Sequence, residues 1–192
     1  MRDPLQAIDT RPNRSATGTR GPSPVLARWA LLVTLVGTYA TLTVTRTLTN
    51  ALRSANLLRW SVAALFGAAC VVAVLLLRRQ IGQFTWRLGV VVAAVLATYA
   101  AVIWPLQSPE EKVHFLQYGL IAVLAQAALP VRWSTTKRAC VAAAFTGCAG
   151  WLDEGIQYLL PSRFYDLRDV GFNALAGVMA LTAVAAIRWA GR

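Results

Sequence analysis

Acidic side chains are scarce in this chain and unevenly placed. Eight Asp and Glu stand against nineteen Lys and Arg, with a single histidine. No acid occurs between Asp9 and Glu110, so the N-terminal half offers no carboxylate for acid–base work or for binding a hard metal ion. Cysteines number three, Cys70, Cys140 and Cys148. None forms a CxxC pair, which argues against a thiolate metal site or a dithiol redox motif. All three fall in hydrophobic runs and read as small apolar packing residues. A dense basic run is also missing. The formal net charge of +11 would point to nucleic acid in a soluble chain, but here the cations are scattered at the ends of hydrophobic runs, and no nucleic-acid partner is expected. No internal repeat relates the first three runs to the last three, which removes the best sequence pointer to an inverted-repeat transporter.

What the chain has in abundance is apolar sequence. Hydrophobic residues make up 57%, above the usual share of a soluble domain. They are gathered into runs of roughly 17–20 residues, the length a helix needs to cross a bilayer. In hydrocarbon the backbone must satisfy its own hydrogen bonds, so such runs become helices. The expected fold is all-α: a polytopic membrane bundle of about six transmembrane helices, near Val25–Thr45, Leu57–Leu77, Phe84–Leu106, Pro109–Val131, Lys137–Leu160 and Asp169–Trp189. Pro105, Pro130 and Pro161 fall where helices should stop. Residues 1–24, rich in Arg, Pro, Gly, Ser and Thr, read as a disordered cytoplasmic tail. The tail is too long and polar for an ordinary signal-peptide start and is expected to be retained. Six of the seven tryptophans lie near a span end, where indole rings favour the interface.

Cations set the orientation. With the N-terminus inside, thirteen Lys and Arg lie on the inner side and six on the outer, which favours N-in and C-in. The segment from Arg46 to Leu57 is the longest outer loop. Leu48, Ala51, Leu52 and Ala55 fall on one side of it at helical spacing, as in a short interfacial helix.

Apart from Asp3 and Asp9 in the tail, every acid belongs to the last three helices: Glu110, Glu111, Asp153, Glu154, Asp166 and Asp169. All map to the outer side, as does His114. The fourth span opens with Ser108-Pro109-Glu110-Glu111, a capping box that accounts structurally for its acids. His114 and Tyr118 follow on one face, four residues apart. A neutral imidazole there is available as base, hydrogen-bond acceptor or ligand. The fifth span ends Asp153-Glu154-Gly155-Ile156-Gln157. Glu154 and Gln157 point together into the bundle, while the competing view leaves this end in water. Two acids at a helix C-terminus oppose the dipole and call for compensation by Arg163, Lys112, a cation or a proton. Asp169, Asn173 and Gly177 recur at i, i+4, i+8 on the sixth span. Asp169 reads as its N-cap, Asn173 as an amide in need of a partner, and Gly177 as a point of close helix approach.

Taken in order, these pieces resemble the VanZ-like family. They are Glu111-Lys112-Val113-His114-Phe115 with Tyr118-Gly119; Asp153-Glu154-Gly155-Ile156-Gln157; then Pro161-Ser162-Arg163, Asp166, Asp169-Val170, Asn173 and Gly177. Glu111 stands where Asp is common. The match covers about residues 108–180. The resemblance implies a multi-pass protein of the bacterial cell membrane with an outward-facing polar pocket. It also implies an effect on access of a glycopeptide such as teicoplanin to wall precursors. Three functions follow as expectations. One is a binding or envelope-modifying protein of that type, with membrane lipid, a lipid-linked cell-wall precursor or the glycopeptide as partner. Another is an intramembrane enzyme on a lipid-linked phosphate or diphosphate. In it Lys112 and Arg163 hold phosphate oxygens and His114 or Glu154 serves as base. Tyr118, Gln157 and Asp166 line the site, and Asp153, Asp169 and Asn173 offer oxygen ligands to Mg²⁺ or Ca²⁺. The third is an accessory subunit whose polar cluster only locks helices together.

Overall fold

A computed structural model describes residues 23–80, 85–106, 108–160 and 165–192. The proposed tail, apart from Ser23 and Pro24, lies outside the described residues, as does Arg163. The described chain folds into six helices: α1 (Pro24–Ser54), α2 (Leu58–Gln80), α3 (Trp86–Ile103), α4 (Pro109–Ala128), α5 (Thr135–Tyr158) and α6 (Leu167–Ala190). Among the described residues there is no strand.

Local chemistry starts most of them. An unpaired N-terminal amide needs an acceptor, and five helices obtain one from the preceding side chain. Ser23, Thr85, Ser108 and Ser134 each accept from the backbone N–H three residues on, at 3.2, 3.3, 3.4 and 3.2 Å. Asp166 caps α6 by accepting from Arg168 N–H at 2.8 Å. Pro24 and Pro109 occupy the first turn of α1 and α4, where a missing N–H costs nothing. Asp169 is therefore not the cap of α6. It lies inside the first turn, because Asp166 is already placed to bond the free amides.

The expected interfacial helix between the first two spans is also corrected. Its residues belong to α1, which continues unbroken for 31 residues, about 46 Å at 1.5 Å per residue. The break comes only at Asn56, whose φ of 56° lies in the left-handed region that Asn tolerates better than most residues. Past it the axis turns by 112° between Thr47–Ser54 and Leu58–Val72.

Among the described residues three helices are long and apolar enough to cross a membrane: Pro24–Leu42 of α1, α3 and α6. The bent pair at the α1–α2 junction brings the number to four if it counts as one span. At 20 and 24 residues, α4 and α5 have the length but carry too many polar residues to qualify.

α4 and α6 sit at the centre. α4 packs most extensively on α6, then on α1 and α5, and α5 packs on α6. By contrast α3 and α2 touch the bundle mainly through α6 and α4 respectively. Phe115, Tyr118, Ile121, Ala149 and Ala176 form one core cluster and Ala122, Ala125, Ala142 and Leu181 a second. Tyr99 of α3 meets Phe115 edge to face at 6.0 Å. Small residues let the backbones approach. A Cβ on Gly177 of α6 would lie 2.8 Å from Thr146 Cγ2 of α5 and 3.4 Å from Ala122 Cβ of α4. The three cysteines are free and exposed on helix surfaces.

Candidate functional site

The buried face of α5 changes character along its length. Ala142, Thr146, Ala149 and Gly150 point inward first, followed by Asp153, Glu154 and Gln157. The spacing is that of a single helical stripe, so the last two turns put acids where a core helix normally puts leucine. Asp153 is 0% exposed and Glu154 1%. The view that this end is simply in water is therefore set aside.

The two neighbouring acids have different surroundings. Glu154 is bonded: its Oε1 accepts from Gln157 Nε2 at 3.3 Å, and its Oε2 accepts from the backbone N–H of Asp166, also at 3.3 Å. Glu154 thus holds the entrance of α6 against the end of α5. The oxygens of Asp153 have at most one hydrogen-bond donor, the Tyr118 phenol. The phenol of Tyr118, from α4 and fully buried, lies beside it, close enough for the acid's charge to bear on the ring hydroxyl. Even with that hydroxyl turned onto one carboxylate oxygen, the other has no donor. Tyr39 of α1 also feels Asp153, and its own hydroxyl donates to Ala149 O at 3.0 Å. From α6, buried Asn173 presses its Cβ against Gly150, and its Nδ2 makes no bond.

Three buried residues thus carry under-satisfied atoms: Tyr118 Oη and the Asp153 oxygens, which have at most each other, and Asn173 Nδ2. Each such atom costs on the order of 1–3 kcal/mol when nothing replaces its water. Such a cluster is a poor way to stabilise a bundle and a ready way to receive a ligand's donors or positive charge.

The remaining sequence candidates fall around this centre. His114 is half-buried one turn before Tyr118, with its ring 6.2 Å from the Tyr118 ring in an edge arrangement. Lys112, in the first turn of α4, is half-buried and makes no side-chain bond to another described residue. Asp166 is exposed and serves as helix cap and backbone donor; Asp169 is half-buried in the next turn. Among the described residues no three His, Cys, Asp or Glu side chains stand together as a metal site. The oxygen set expected for Mg²⁺ or Ca²⁺ is split between buried Asp153 and Asn173 and half-buried Asp169. A cavity of about 300 Å³ does exist, but between α1, α4 and α5 at the opposite end of the bundle, around Arg28 and Phe145.

Sequence reasoning missed Tyr39 and Gly150. Gly150 had a signal, since it precedes Asp153 by three residues on the same face. Tyr39 had none, because its role depends on α1 packing against α5.

No protein-family model matches the chain, and no curated protein or solved structure shows significant similarity to it.

Proposed function

We propose that this is a six-span membrane protein with both termini in the cytoplasm. Its working centre is then the Asp153–Tyr118–Asn173 cluster, with Glu154 as its brace, at the outer ends of α4, α5 and α6. The exposed side chains of α5 between residues 140 and 152 are Cys140, Val141, Ala144, Phe145, Cys148, Trp151 and Leu152. A helix that is polar inward and apolar outward suits a membrane despite its average composition. The tryptophans support the same map. Trp29, Trp86, Trp133 and Trp189 fall at one face and Trp60, Trp104 and Trp151 at the other, and all but Trp133 are largely exposed, as an interfacial belt requires.

The activity we propose is of the VanZ-like kind: an envelope protein acting at the outer leaflet that lowers access of a glycopeptide to wall precursors. The observation that carries a functional reading of the cluster is Asp153, a fully buried acid with the Tyr118 phenol beside it and at least one carboxylate oxygen left without a donor. Such a group is costly and is retained for what it binds. Glu154 and Gln157 fix the helix end that presents it. The test uses cells expressing wild type, Asp153→Asn or Glu154→Gln at matched levels. Teicoplanin susceptibility is measured and lipid-linked precursors are profiled by mass spectrometry. Reduced susceptibility with wild type only, and unchanged precursors, supports the reading. No difference in either measurement sinks it in favour of a purely structural cluster.

A second reading, an intramembrane enzyme on a lipid-linked phosphate, draws on His114. Glu154 is already engaged by two donors, so the half-buried imidazole beside Tyr118 is the better base, with Lys112 on the same helix as a phosphate contact. A precursor species made or lost only with wild type would favour it.

A further inference from the structure

The cavity between α1, α4 and α5 belongs to neither reading. It lies where α4 stops: the helix ends at Ala128, and Pro130 prevents its continuing. Ala125 and Ala142 are too small to fill the space that opens there, and Leu31, Val141 and Phe145 wall it. The lining is apolar except for one side chain, Arg28.

Arg28 is held at the rim. Its Nε donates to the carbonyl of Ala128, the last residue of α4, at 3.1 Å. The bond satisfies a free carbonyl at the negative end of a helix. It uses one of the five guanidinium N–H groups and leaves the rest to other acceptors. More cations belong to the same end of the bundle, at the turn from α4 to α5. Arg138 is anchored on Gln126 O at 3.1 and 2.7 Å, Arg132 is exposed, and Lys137 stands 4.4 Å over the Trp133 ring. Among the described residues this end of the bundle has no acid to neutralise them.

An apolar slot of about 300 Å³ with one anchored cation, Arg28, at its rim and further cations at the same end of the bundle suits one kind of molecule. We propose that it holds an acyl chain of an anionic phospholipid, whose phosphate is met by Arg28. Apolar burial in the slot supplies affinity, and the guanidinium supplies headgroup preference. The site stands apart from the acidic cluster and is independent of what that cluster does.

The full chain, purified in detergent and stripped of lipid, is titrated with phosphatidylglycerol or phosphatidylcholine of matched chains. Bound lipid is counted by native mass spectrometry, and thermal stability is followed in parallel. Wild type should retain phosphatidylglycerol at least about tenfold better, and inorganic phosphate alone should not stabilise it. Arg28→Gln should cut the headgroup preference about fivefold or more while leaving some chain binding. Ala128→Phe, which fills the slot from a half-buried position, should lose both lipids. If Ala128→Phe misfolds by size exclusion and circular dichroism, Val141→Trp serves in its place. Arg192→Gln, a cation at the chain end, should change nothing. Equal retention of the two lipids by wild type would overturn the proposal. So would a preference unchanged in folded Arg28→Gln or in the folded slot-filling variant, or a lipid-free dimer covering the slot.

Discussion

At Asp153 stability and function are set against each other. A buried carboxylate with at most one phenol as donor contributes little to holding the bundle together, so Asp153→Asn should leave the melting temperature in detergent unchanged or raise it while abolishing the cellular phenotype. Glu154→Gln should behave differently. It loses charge-assisted acceptance from Gln157 and Asp166, at a cost of about 1–2 kcal/mol, visible as a lower melting temperature. If Asp153→Asn destabilised more than Glu154→Gln, the assignment of site and brace would be reversed. Gly177 is a steric case. A methyl there meets Thr146 Cγ2 at 2.8 Å, so Gly177→Ala should cost about 1–3 kcal/mol by overpacking, and Thr146→Ser should recover part of the loss in the double variant. Much of this was legible in the sequence: the Glu154–Gln157 pairing and Gly177 follow from helical spacing alone. The isolation of Asp153 was not, since it depends on which side chains of α1, α4 and α6 arrive beside it.

Among the helices, starts were legible to within two residues, although α6 is capped by Asp166 rather than Asp169, and one end was not legible. Ser108 caps α4 as its sequence announces, and Ser108→Ala should lower stability by about 1 kcal/mol. Asp166 has two roles that substitution separates. Asp166→Ala removes the side-chain cap of α6 but keeps the backbone N–H that bonds Glu154. The loss should therefore stay near 1 kcal/mol, and a much larger drop would mean that the side chain does more. The continuation of α1 past Thr45 was hidden by its composition, because threonines and Arg46 look like the end of a span. Threonines earlier in the helix show how it tolerates them: Thr34, Thr38 and Thr41 each donate to the carbonyl four residues back at 2.6–2.7 Å. A hydroxyl bonded in this way no longer competes with the helix. Polarity along a helix and its ending are separate matters, and only Asn56 produces the second.

For the whole molecule, the proposed topology makes a direct claim. With native cysteines replaced by alanine, Ala55→Cys should react with a membrane-impermeant maleimide in intact cells, and Gly191→Cys only after lysis. The opposite pattern would invert the bundle and place the acidic cluster in the cytoplasm. Among the described residues hydropathy marks three helices as long and apolar enough to cross a membrane and leaves out α4 and α5; an average over a helix cannot tell an inward carboxylate from an outward one. The bundle is built around α4 and α6, with the acids of α5 turned toward them and its apolar side chains turned outward, and that arrangement becomes visible only once the helices are packed.

The contact between Gly150 and Asn173 reaches beyond this one chain. A Cβ at position 150 would lie 2.7 Å from the Asn173 Cβ, a distance no rotamer change can relieve. The two positions therefore cannot drift independently over evolutionary time. A lineage that gains a side chain at 150 must shrink the residue at 173 or move α6 away from α5. Drawn from enough divergent sequences, that pair should carry one of the strongest covariation signals in the molecule.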